Sequence, residues 1–407
     1  MPSQNQPYNK VDKNQIKDIA SNIHDNVVGW RRHIHQYPEL SYEEEKTSAY
    51  IAQQLDEMGI AYQRNVGGHG IVATIYAQNG SDDVVALRAD MDALPITEEN
   101  AVSYASINEG VMHACGHDVH TANLLGVAKV LKSYENDLPH HIRLIFQPAE
   151  ERLPGGASLM IKDGVLKNPV PKYIIGFHVF PQMEVGHVGM RPGMYMASTD
   201  EIYITVKGKG GHAAIPHFNV DTVVVTAHII TALQTIVSRS SDPTIPSVLS
   251  FGKINSTGGA TNIIPDEVKM EGTFRTMDET WREQAHGLIK ERARQVAASF
   301  GATCEVTILK GYPVLMNDEK ITKHAFAKAS EILGEDRVHT LPIRMTAEDF
   351  AYYSHEIPAC FIRIGTSNAS KNIGAPLHTS RFDVDEDCFK TSIPLMAYLA
   401  MQPLDQE

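Results

Sequence analysis

The chain has 407 residues, of which 43% are hydrophobic, and its formal net charge is -13. This length and hydrophobic fraction suffice for two globular domains with their own cores. The negative charge disfavours contact with nucleic acid phosphates and with anionic membrane surfaces, so we expect neither nucleic acid nor a membrane as a partner.

Cysteine usage and the N-terminal residues predict a cytoplasmic protein. The four cysteines (Cys115, Cys304, Cys360 and Cys388) are far apart and form no CxxC pair, so disulfides are not expected. The N-terminal residues MPSQNQPYNKVDKNQ contain no apolar segment of the kind found in secretion signals. No uninterrupted apolar run is expected to approach the length of a membrane span.

The first half of the chain predicts an α/β domain. Residues 13–58 have a helical pattern of apolar residues, which includes a second helical stretch from Glu43 to Met58. Short apolar runs follow at 84–89, 142–147 and 173–180, separated by segments with helical periodicity. Strands that are apolar on both faces and alternate with helices are typical of a largely parallel, buried sheet.

The pattern changes near residue 198. The stretch EIYITVKG alternates strictly, with Ile202, Ile204 and Val206 on one face, as in a sheet with one solvated face. The segment continues with a helix at 221–237, strands at 247–254 and 267–277, a helix at 278–300 and a strand at 304–309. This βαββαβ order predicts a ferredoxin-like unit. A helix, a strand and a final helix follow, so we predict an insert at 198–310 within a domain formed by 1–197 and 311–407.

Polar groups with metal-binding or catalytic chemistry follow the predicted strands. Asp90 and Asp92 come directly after the strand at 84–89, and Glu150 and Glu151 come after the strand at 142–147. His178 follows the apolar stretch YIIGF. Because the carboxyl ends of parallel strands line one crevice, we expect these side chains to converge there.

The stretch MHACGHDVH, residues 112–120, contains three histidines, a cysteine and an aspartate. Cys115 and His117 are separated by a glycine that permits a tight turn, so their side chains could face one metal ion. From the residues alone, two alternatives stay open: a thiol nucleophile with a histidine base, or a chance cluster in a chain with 19 histidines.

Eight motifs, in this order, carry a resemblance to a known family. They are RADMDALPI, MHACGHDVHTANLLG, FQPAEE, GFHV, GKGGHAAIPH, TNIIPDEV, AEDFAYY and LHTSRFD. Together they resemble the N-acyl-amino-acid amidohydrolases of the aminoacylase and zinc carboxypeptidase superfamily, a subfamily that includes hippurate hydrolases and auxin-conjugate hydrolases. The resemblance extends from about residue 30 to the last helix, nearly the whole chain.

The resemblance implies a hydrolase that uses two divalent metal ions per subunit. The positions that match the family's metal ligands are Cys115, His117, Glu151, His178 and His378. Glu150 matches the general base, which would take a proton from water and pass it to the leaving amine. Two adjacent glutamates would therefore serve different tasks.

One motif departs from the wider superfamily, in which the first strand-end motif is HxD. Here Asp90 stands at the position of the histidine, and Asp92 at that of the aspartate. We expect Asp90 to be a weak ligand or none, and Asp92 to orient a ligand histidine from behind. A cysteine ligand favours zinc, although relatives are associated with manganese, cobalt or nickel as well.

The insert resembles the lid and dimerisation domain of the family. His212 matches the residue that reaches the partner subunit's site and stabilises the oxyanion. Asn262 and Arg275 match contacts to the substrate carboxylate, for which a bidentate arginine is suited. The resemblance therefore implies a homodimer.

The expected activity is hydrolysis of the amide bond in an N-acyl amino acid. A dipeptidase or carboxypeptidase that acts on small peptides is the alternative within the same chemistry. Outside it, a hydrolase with Cys115 as nucleophile and a catalytically silent binding protein stay open.

Overall fold

The computed structural model describes residues 12–402 and residue 404, which form two compact units. The larger unit comprises the described residues of Met1–Gly193, Met316–Pro342 and Asp349–Glu407. The smaller unit comprises Met194–Leu315 and Ile343–Glu348. It therefore includes a short segment that lies within 311–407, the second part of the predicted catalytic domain.

The α-helices are α1 (Lys13–Asn22), α2 (His24–Gln36), α3 (Glu45–Glu57), α4 (His117–Ser133), α5 (Gly156–Lys162), α6 (Thr222–Thr235), α7 (Glu279–Ser299), α8 (Glu319–Leu333), α9 (Ala351–Glu356) and α10 (Phe389–Met401).

The strands are β1 (Ala61–Val66), β2 (Gly70–Ile75), β3 (Ser81–Asp90), β4 (His140–Gln147), β5 (Tyr173–Glu184), β6 (Val188–Met190), β7 (Gly193–Met196), β8 (Asp200–Lys207), β9 (Gly211–His212), β10 (Ser247–Ser256), β11 (Ile263–Ile264), β12 (Glu267–Thr276), β13 (Thr303–Lys310), β14 (Leu315–Asn317), β15 (Val338–Thr340) and β16 (Ala359–Ser367).

The larger unit is built on an eight-stranded sheet with the order β1-β2-β4-β3-β5-β16-β6-β15. Its four central strands, β4, β3, β5 and β16, are parallel to one another, which confirms the predicted α/β architecture. The pairings β1–β2, β2–β4 and β16–β6 are antiparallel. Helix α4 is buried over most of its length, and its apolar residues, such as Leu124 and Leu131, are part of the core of this unit.

The smaller unit has a four-stranded antiparallel sheet with the order β10-β12-β8-β13. Together with α6 and α7 it has the predicted βαββαβ, ferredoxin-like order. Ile202, Ile204 and Val206 of β8 are buried in the core with apolar residues of both helices, whereas Tyr203 on the opposite face is exposed. The alternation in the sequence therefore identified the buried face.

One helical stretch has the length and composition of a membrane span, although polar residues such as His228, Gln234 and Arg239 interrupt its apolar sequence. By length and composition alone, Thr222–Ser240 is a candidate span, and it is the only one within residues 12–402 and 404. Its first part, α6, packs Val225, Ile229 and Leu233 into the core of the smaller unit. A core helix meets the same criterion, so the stretch is weak evidence for a membrane segment.

The N-terminal region differs from its predicted pattern in detail. The helical region at 13–58 is divided into α1, α2 and α3, and a loop of eight residues separates α2 from α3. The antiparallel hairpin of β1 and β2 was not predicted. Most residues of β1 are exposed and do not alternate with buried ones. The sequence of β1 therefore lacks the alternation of apolar and polar residues that would predict a strand.

Candidate metal and catalytic centre

Neighbouring strands of the larger unit deliver acidic residues to one edge of the sheet. Asp90, the last residue of β3, is paired in register with Gln147, the last residue of β4. The loops that follow carry Asp92 after β3, and Glu150 and Glu151 after β4. The parallel arrangement therefore places these loops side by side, as the sequence predicted.

Gly116 sets the geometry between Cys115 and His117. Its φ is 84°, a left-handed conformation that side chains of L-residues rarely adopt, and it precedes the first residue of α4. A Cβ atom at this position would lie 2.5 Å from Cγ2 of Val179. Only glycine fits here without a shift of its neighbours, and the turn lets the cysteine and the histidine face the same cluster.

The first group of donor atoms surrounds the sulfur of Cys115. Its Sγ lies 3.4 Å from Nε2 of His178 and 3.4 Å from Nε2 of His378. His378 also lies 3.1 Å, through the same nitrogen, from Oε1 of Glu151. The thiol of Cys115 thus lies between two imidazoles, and the carboxylate of Glu151 lies beside one of them.

The second group surrounds Nε2 of His117. This nitrogen is buried without a hydrogen-bond partner, and the carboxylate oxygens of Asp90 and Glu150 lie 3.8 Å and 4.0 Å away. The ligand atoms of His117, Glu150 and Glu151 all lie within 4.8 Å of one another, as do those of Cys115, His117 and His178. The two groups therefore share residues and form one continuous cluster.

Asp92 is positioned behind this cluster. Its Oδ1 lies 3.1 Å from Nδ1 of His117, and its Oδ2 accepts hydrogen bonds from Oγ of Ser41 at 2.7 Å and from the backbone N of Glu151 at 3.0 Å. A hydrogen bond from Nδ1 leaves Nε2 of His117 free for a metal. This is the arrangement that the predicted orienting role of Asp92 requires.

Asp90 uses both of its carboxylate oxygens within the protein. Oδ1 lies 2.5 Å from Nδ1 of His120, and Oδ2 accepts a hydrogen bond from Arg88 at 2.6 Å. The other ring nitrogen of His120 accepts from the backbone N of Val179 at 2.9 Å. Both carboxylate oxygens of Asp90 are therefore held by His120 and Arg88, which is consistent with a weak metal ligand or none. Its Oδ2 also lies 3.8 Å from Nε2 of His117.

A buried polar network beside Glu150 was not predicted from the sequence. Arg88 donates to Oε1 of Gln147 at 2.8 Å and to Oδ1 of Asp349 at 2.7 Å, and Gln147 also donates to Asp349 at 2.8 Å. The backbone N of Asp349 donates to Oε1 of Glu150 at 3.4 Å. An arginine inside the apolar run VVALRA was the available signal, because a buried arginine requires partners.

Burial and charge set the protonation of these groups. Burial, followed by the charges of Glu151 and Glu150, raises the pKa of the Cys115 thiol well above its usual value. Burial opposes the charged form of His117, but Asp90 and Asp92 outweigh it and raise the pKa of His117 to about 10. Burial lowers the pKa of His178 well below its usual value, so this ring is neutral.

This set of donors fits divalent metal ions. His178 donates through Nδ1 to the backbone O of Val179 at 2.8 Å, which turns its Nε2 toward Cys115 as a ligand. The unpartnered Nε2 of His117 is a second such position. Neutral imidazoles, a thiolate and carboxylates are the usual ligands of zinc and related metals, so a bound ion would displace the protons that the raised pKa values of Cys115 and His117 retain in its absence.

The remaining predicted residues lie in the smaller unit. His212 is exposed in β9, where its Nδ1 accepts from the backbone N of Ala214 at 3.1 Å. Asn262 is adjacent to it, because its backbone O accepts from the N of Ala213 at 2.9 Å. Arg275 is half-buried in β12, and burial lowers its pKa. The structure thus brings His212 and Asn262 together.

Comparison with known proteins supports a common family. The sequence model of peptidase family M20/M25/M40 matches residues 86–402. The N-acetyl-L-cysteine deacetylase of Bacillus subtilis (strain 168) is 41% identical over 374 residues, which is 90% of this chain and 85% of the relative. Thermostable carboxypeptidase 2 of Saccharolobus solfataricus is 39% identical over 95% of this chain and 98% of its own length.

A solved structure agrees with these relatives. It is a Bacillus subtilis protein described as a dinuclear metal binding peptidase from the M20 family. The two chains are 33% identical, with a TM-score of 0.78, and the alignment covers 94% of this chain and 98% of the other.

Proposed function

The chain belongs to peptidase family M20/M25/M40, and from this premise we propose that it is a metal-dependent amidohydrolase that cleaves N-acyl amino acids. The observation that carries the proposal is the convergence of one thiol, three imidazoles and two carboxylates in one cluster, formed by Cys115, His117, His178, His378, Glu150 and Glu151. The similarity to a deacetylase of an N-acetyl amino acid supports the substrate class.

We propose that the cluster holds two divalent ions. The ligands would be Cys115, His117, Glu151, His178 and His378, whose donor atoms already lie close together. When bound, the ions supply Lewis acidity, which lowers the pKa of water and polarises an amide carbonyl. The thiol and imidazole donors favour zinc, and manganese, cobalt and nickel compete for the same ligands.

Glu150 is the proposed general base and, later, general acid. It is buried at the cluster, and one of its oxygens is anchored by the backbone N of Asp349 while the other faces His117. It would take a proton from the attacking water and deliver it to the nitrogen of the leaving amine. Its neighbour Glu151 faces His378 instead, so the two adjacent carboxylates would have different roles, Glu150 as the base and Glu151 as a metal ligand.

The smaller unit would contribute to substrate binding. His212 would donate to the oxyanion of the reacting amide in the partner subunit. Arg275 would bind the substrate carboxylate, with Asn262 beside it. These three roles derive from the resemblance, and the exposure of His212 supports the first of them.

A homodimer is part of this proposal. In the smaller unit, β10 is an edge strand, and α6 exposes Val223 and Val224 with 49% and 45% of their surface accessible. An open strand edge beside an apolar helix face favours pairing with a second copy. Light scattering should give the mass of a dimer, and Val224→Lys should lower that mass toward one chain.

The structure weighs against Cys115 as a nucleophile. Its buried Sγ lies 3.4 Å from the rings of both His178 and His378, a set of donors that suits a shared metal ion, and burial raises the pKa of the thiol when no ion is bound. Alkylation of metal-loaded protein separates the two mechanisms, because a thiolate bound to metal is protected. A silent binding protein is disfavoured because Glu150 is present at the cluster.

Hydrolysis of small peptides is the second candidate function. The similarity to thermostable carboxypeptidase 2 favours it, since the same cluster could attack a C-terminal peptide bond. A panel of N-acetyl, N-benzoyl and indole-acetyl amino acids and dipeptides would separate the two. Higher kcat/KM on N-acyl amino acids supports our proposal, and a preference for dipeptides contradicts it.

We also propose a cytoplasmic location. All four cysteines are free, and three of them are buried, which suits a reducing compartment.

The decisive experiment measures metal content and activity together. Wild-type protein, Cys115→Ala and Glu150→Ala would be analysed for metal and assayed on the same panel. We expect about two metal ions per chain in wild type, fewer in Cys115→Ala, and full metal content without activity in Glu150→Ala. Full activity after exhaustive chelation would overturn the proposal.

A further inference from the structure

The loop between α2 and α3 contacts both of the loops that carry the acidic residues of the centre. Its last six residues, 39–44, have the sequence ELSYEE. They lie before residue 86, where the match to the family model begins. We call this segment the 39–44 loop.

Glu44 holds the turn that precedes the two catalytic-centre glutamates. Its side chain is fully buried, and its Oε1 accepts a hydrogen bond from the backbone N of Ala149 at 2.8 Å. The backbone O of Ala149 accepts from the N of Gly156 at 2.9 Å. Both polar backbone groups of Ala149 are therefore held in place.

Ala149 has an unusual conformation. Its φ is 51°, in the left-handed region that residues other than glycine seldom occupy. Such a conformation persists only where the surroundings enforce it. The hydrogen bond that the N–H of Ala149 donates to Glu44 is one contact that helps to do so, together with the one that its carbonyl accepts from Gly156.

The turn at Ala149 decides where the next two side chains lie. In a regular extended strand, neighbouring side chains point to opposite faces. Here Glu150 and Glu151 both face the same cluster, since Glu150 lies 4.0 Å from Nε2 of His117 and Glu151 lies 3.1 Å from Nε2 of His378. The turn at Ala149 redirects the chain after β4, and both carboxylates lie directly beyond it.

Two further contacts tie the 39–44 loop to the same region. Oγ of Ser41 donates to Oδ2 of Asp92 at 2.7 Å, and the hydroxyl of Tyr42 donates to the backbone O of Arg152 at 2.9 Å. The loop therefore holds Asp92 on one side and the chain after Glu151 on the other.

A buried carboxyl at position 44 is unfavourable for packing alone. Burial, followed by the charge of Asp92, raises the pKa of Glu44 to about 7. An apolar side chain would avoid this desolvation. Glutamate is suited to this position because it supplies an acceptor for the N–H of Ala149.

We propose that Glu44 is a positioning residue for the reaction. By accepting from the N–H of Ala149, it maintains the turn that directs Glu150 and Glu151 into one cluster. The catalytic consequence of this inference rests on the proposed function. The effect of Glu44 on the turn at Ala149 can be measured by hydrogen exchange without an activity assay.

The experiment compares Glu44→Ala and Glu44→Gln with Glu43→Ala. Glu43 is the exposed neighbour of the same residue type, and glutamine retains the acceptor oxygen. Each protein would be assayed for kcat and KM, for bound metal and for hydrogen exchange of the peptide containing the Ala149 amide.

We expect Glu44→Ala to lower kcat about 10- to 100-fold, as for other outer-shell changes, with KM nearly unchanged. Exchange at the Ala149 amide should become faster, and bound metal should fall because Glu151 is displaced. Glu44→Gln and Glu43→Ala should resemble wild type in all three measurements.

Two results would overturn the inference. One is wild-type kcat and wild-type exchange at Ala149 in folded Glu44→Ala, and the other is a folded Glu44→Gln with the same losses as alanine. If Glu44→Ala does not fold, Glu44→Gln decides by comparison with wild type: equal kcat and equal exchange at Ala149 support the inference, and lower kcat with faster exchange overturn it. Wild-type protein inactive on every substrate would refute the proposed function, whereas exchange at Ala149 would still test Glu44.

Discussion

Replacing Arg31 by methionine tests whether buried charges hold α2 against the beginning of α4. The guanidinium of Arg31 is fully buried, and its Nε donates to Oδ2 of Asp118 at 2.7 Å. It also donates to Asp383 at 2.9 Å and to Glu386 at 3.2 Å. Methionine keeps much of the apolar stem but leaves the fully buried Asp118 with His35 as its remaining ionic partner.

The expected loss follows from the uncompensated charge. Removing one partner of a buried ion pair costs about 3 to 5 kcal/mol of unfolding free energy. The larger unit has roughly 260 described residues, and unfolding entropy is about 2.1 cal/mol/K per residue. These values predict that the unfolding temperature of the larger unit falls by about 5 to 9 °C.

Arg32→Met is the matched control. Arg32 is the adjacent arginine and also pairs with Glu386, at 2.6 Å, but 45% of its side chain is exposed. An exposed pair contributes about 0 to 1 kcal/mol, so its loss should lower the unfolding temperature by about 2 °C at most. Thermal unfolding of metal-free protein, followed by circular dichroism, measures both variants. Equal shifts in the two variants would refute the argument from burial.

Three more predictions concern residues in and around the candidate metal and catalytic centre. Gly116→Ala should lower the unfolding free energy by about 1 to 2 kcal/mol because of the left-handed conformation, and further because its Cβ would clash with Val179. We expect reduced thermal stability and reduced metal content. Unchanged values of both would contradict the role of the turn at Gly116. Burial disfavours charge on His35, but Asp118 outweighs it and raises the pKa of His35. The contribution of His35 to stability is therefore full below about pH 6.5 and is lost as pH rises through its folded-state pKa. As pH is raised from about 6.5, the unfolding temperature should fall more steeply in wild type than in His35→Asn. Parallel curves for the two proteins would be evidence against a stabilising charge on His35. Asp92→Asn should weaken metal binding about 10- to 100-fold, and a competition titration with wild-type affinity would show that Asp92 does not orient its histidine.

The sequence was sufficient for the architecture where local patterns were strong. Strict alternation at Ile202, Ile204 and Val206 identified the buried face of β8, and apolar runs identified the central parallel strands. Polar residues directly after such strands indicated which groups would meet, because parallel strands end at one edge. The approach of Asp90 and Glu150 to the same nitrogen of His117, at 3.8 Å and 4.0 Å, is the geometric counterpart of that expectation.

Local patterns were insufficient where a residue's position depends on distant partners. Nothing near Glu44 or Asp349 in the sequence indicates that the first holds the turn at Ala149 or that the second pairs with Arg88. Periodicity reports which side of an element is buried, whereas hydrogen bonds between residues far apart in the chain arise only when the elements pack. The amino-acid sequence by itself therefore determined the elements and the chemical groups at their ends. Only the tertiary structure decided which buried partners orient those groups, because these contacts join segments that are 105 and 261 residues apart.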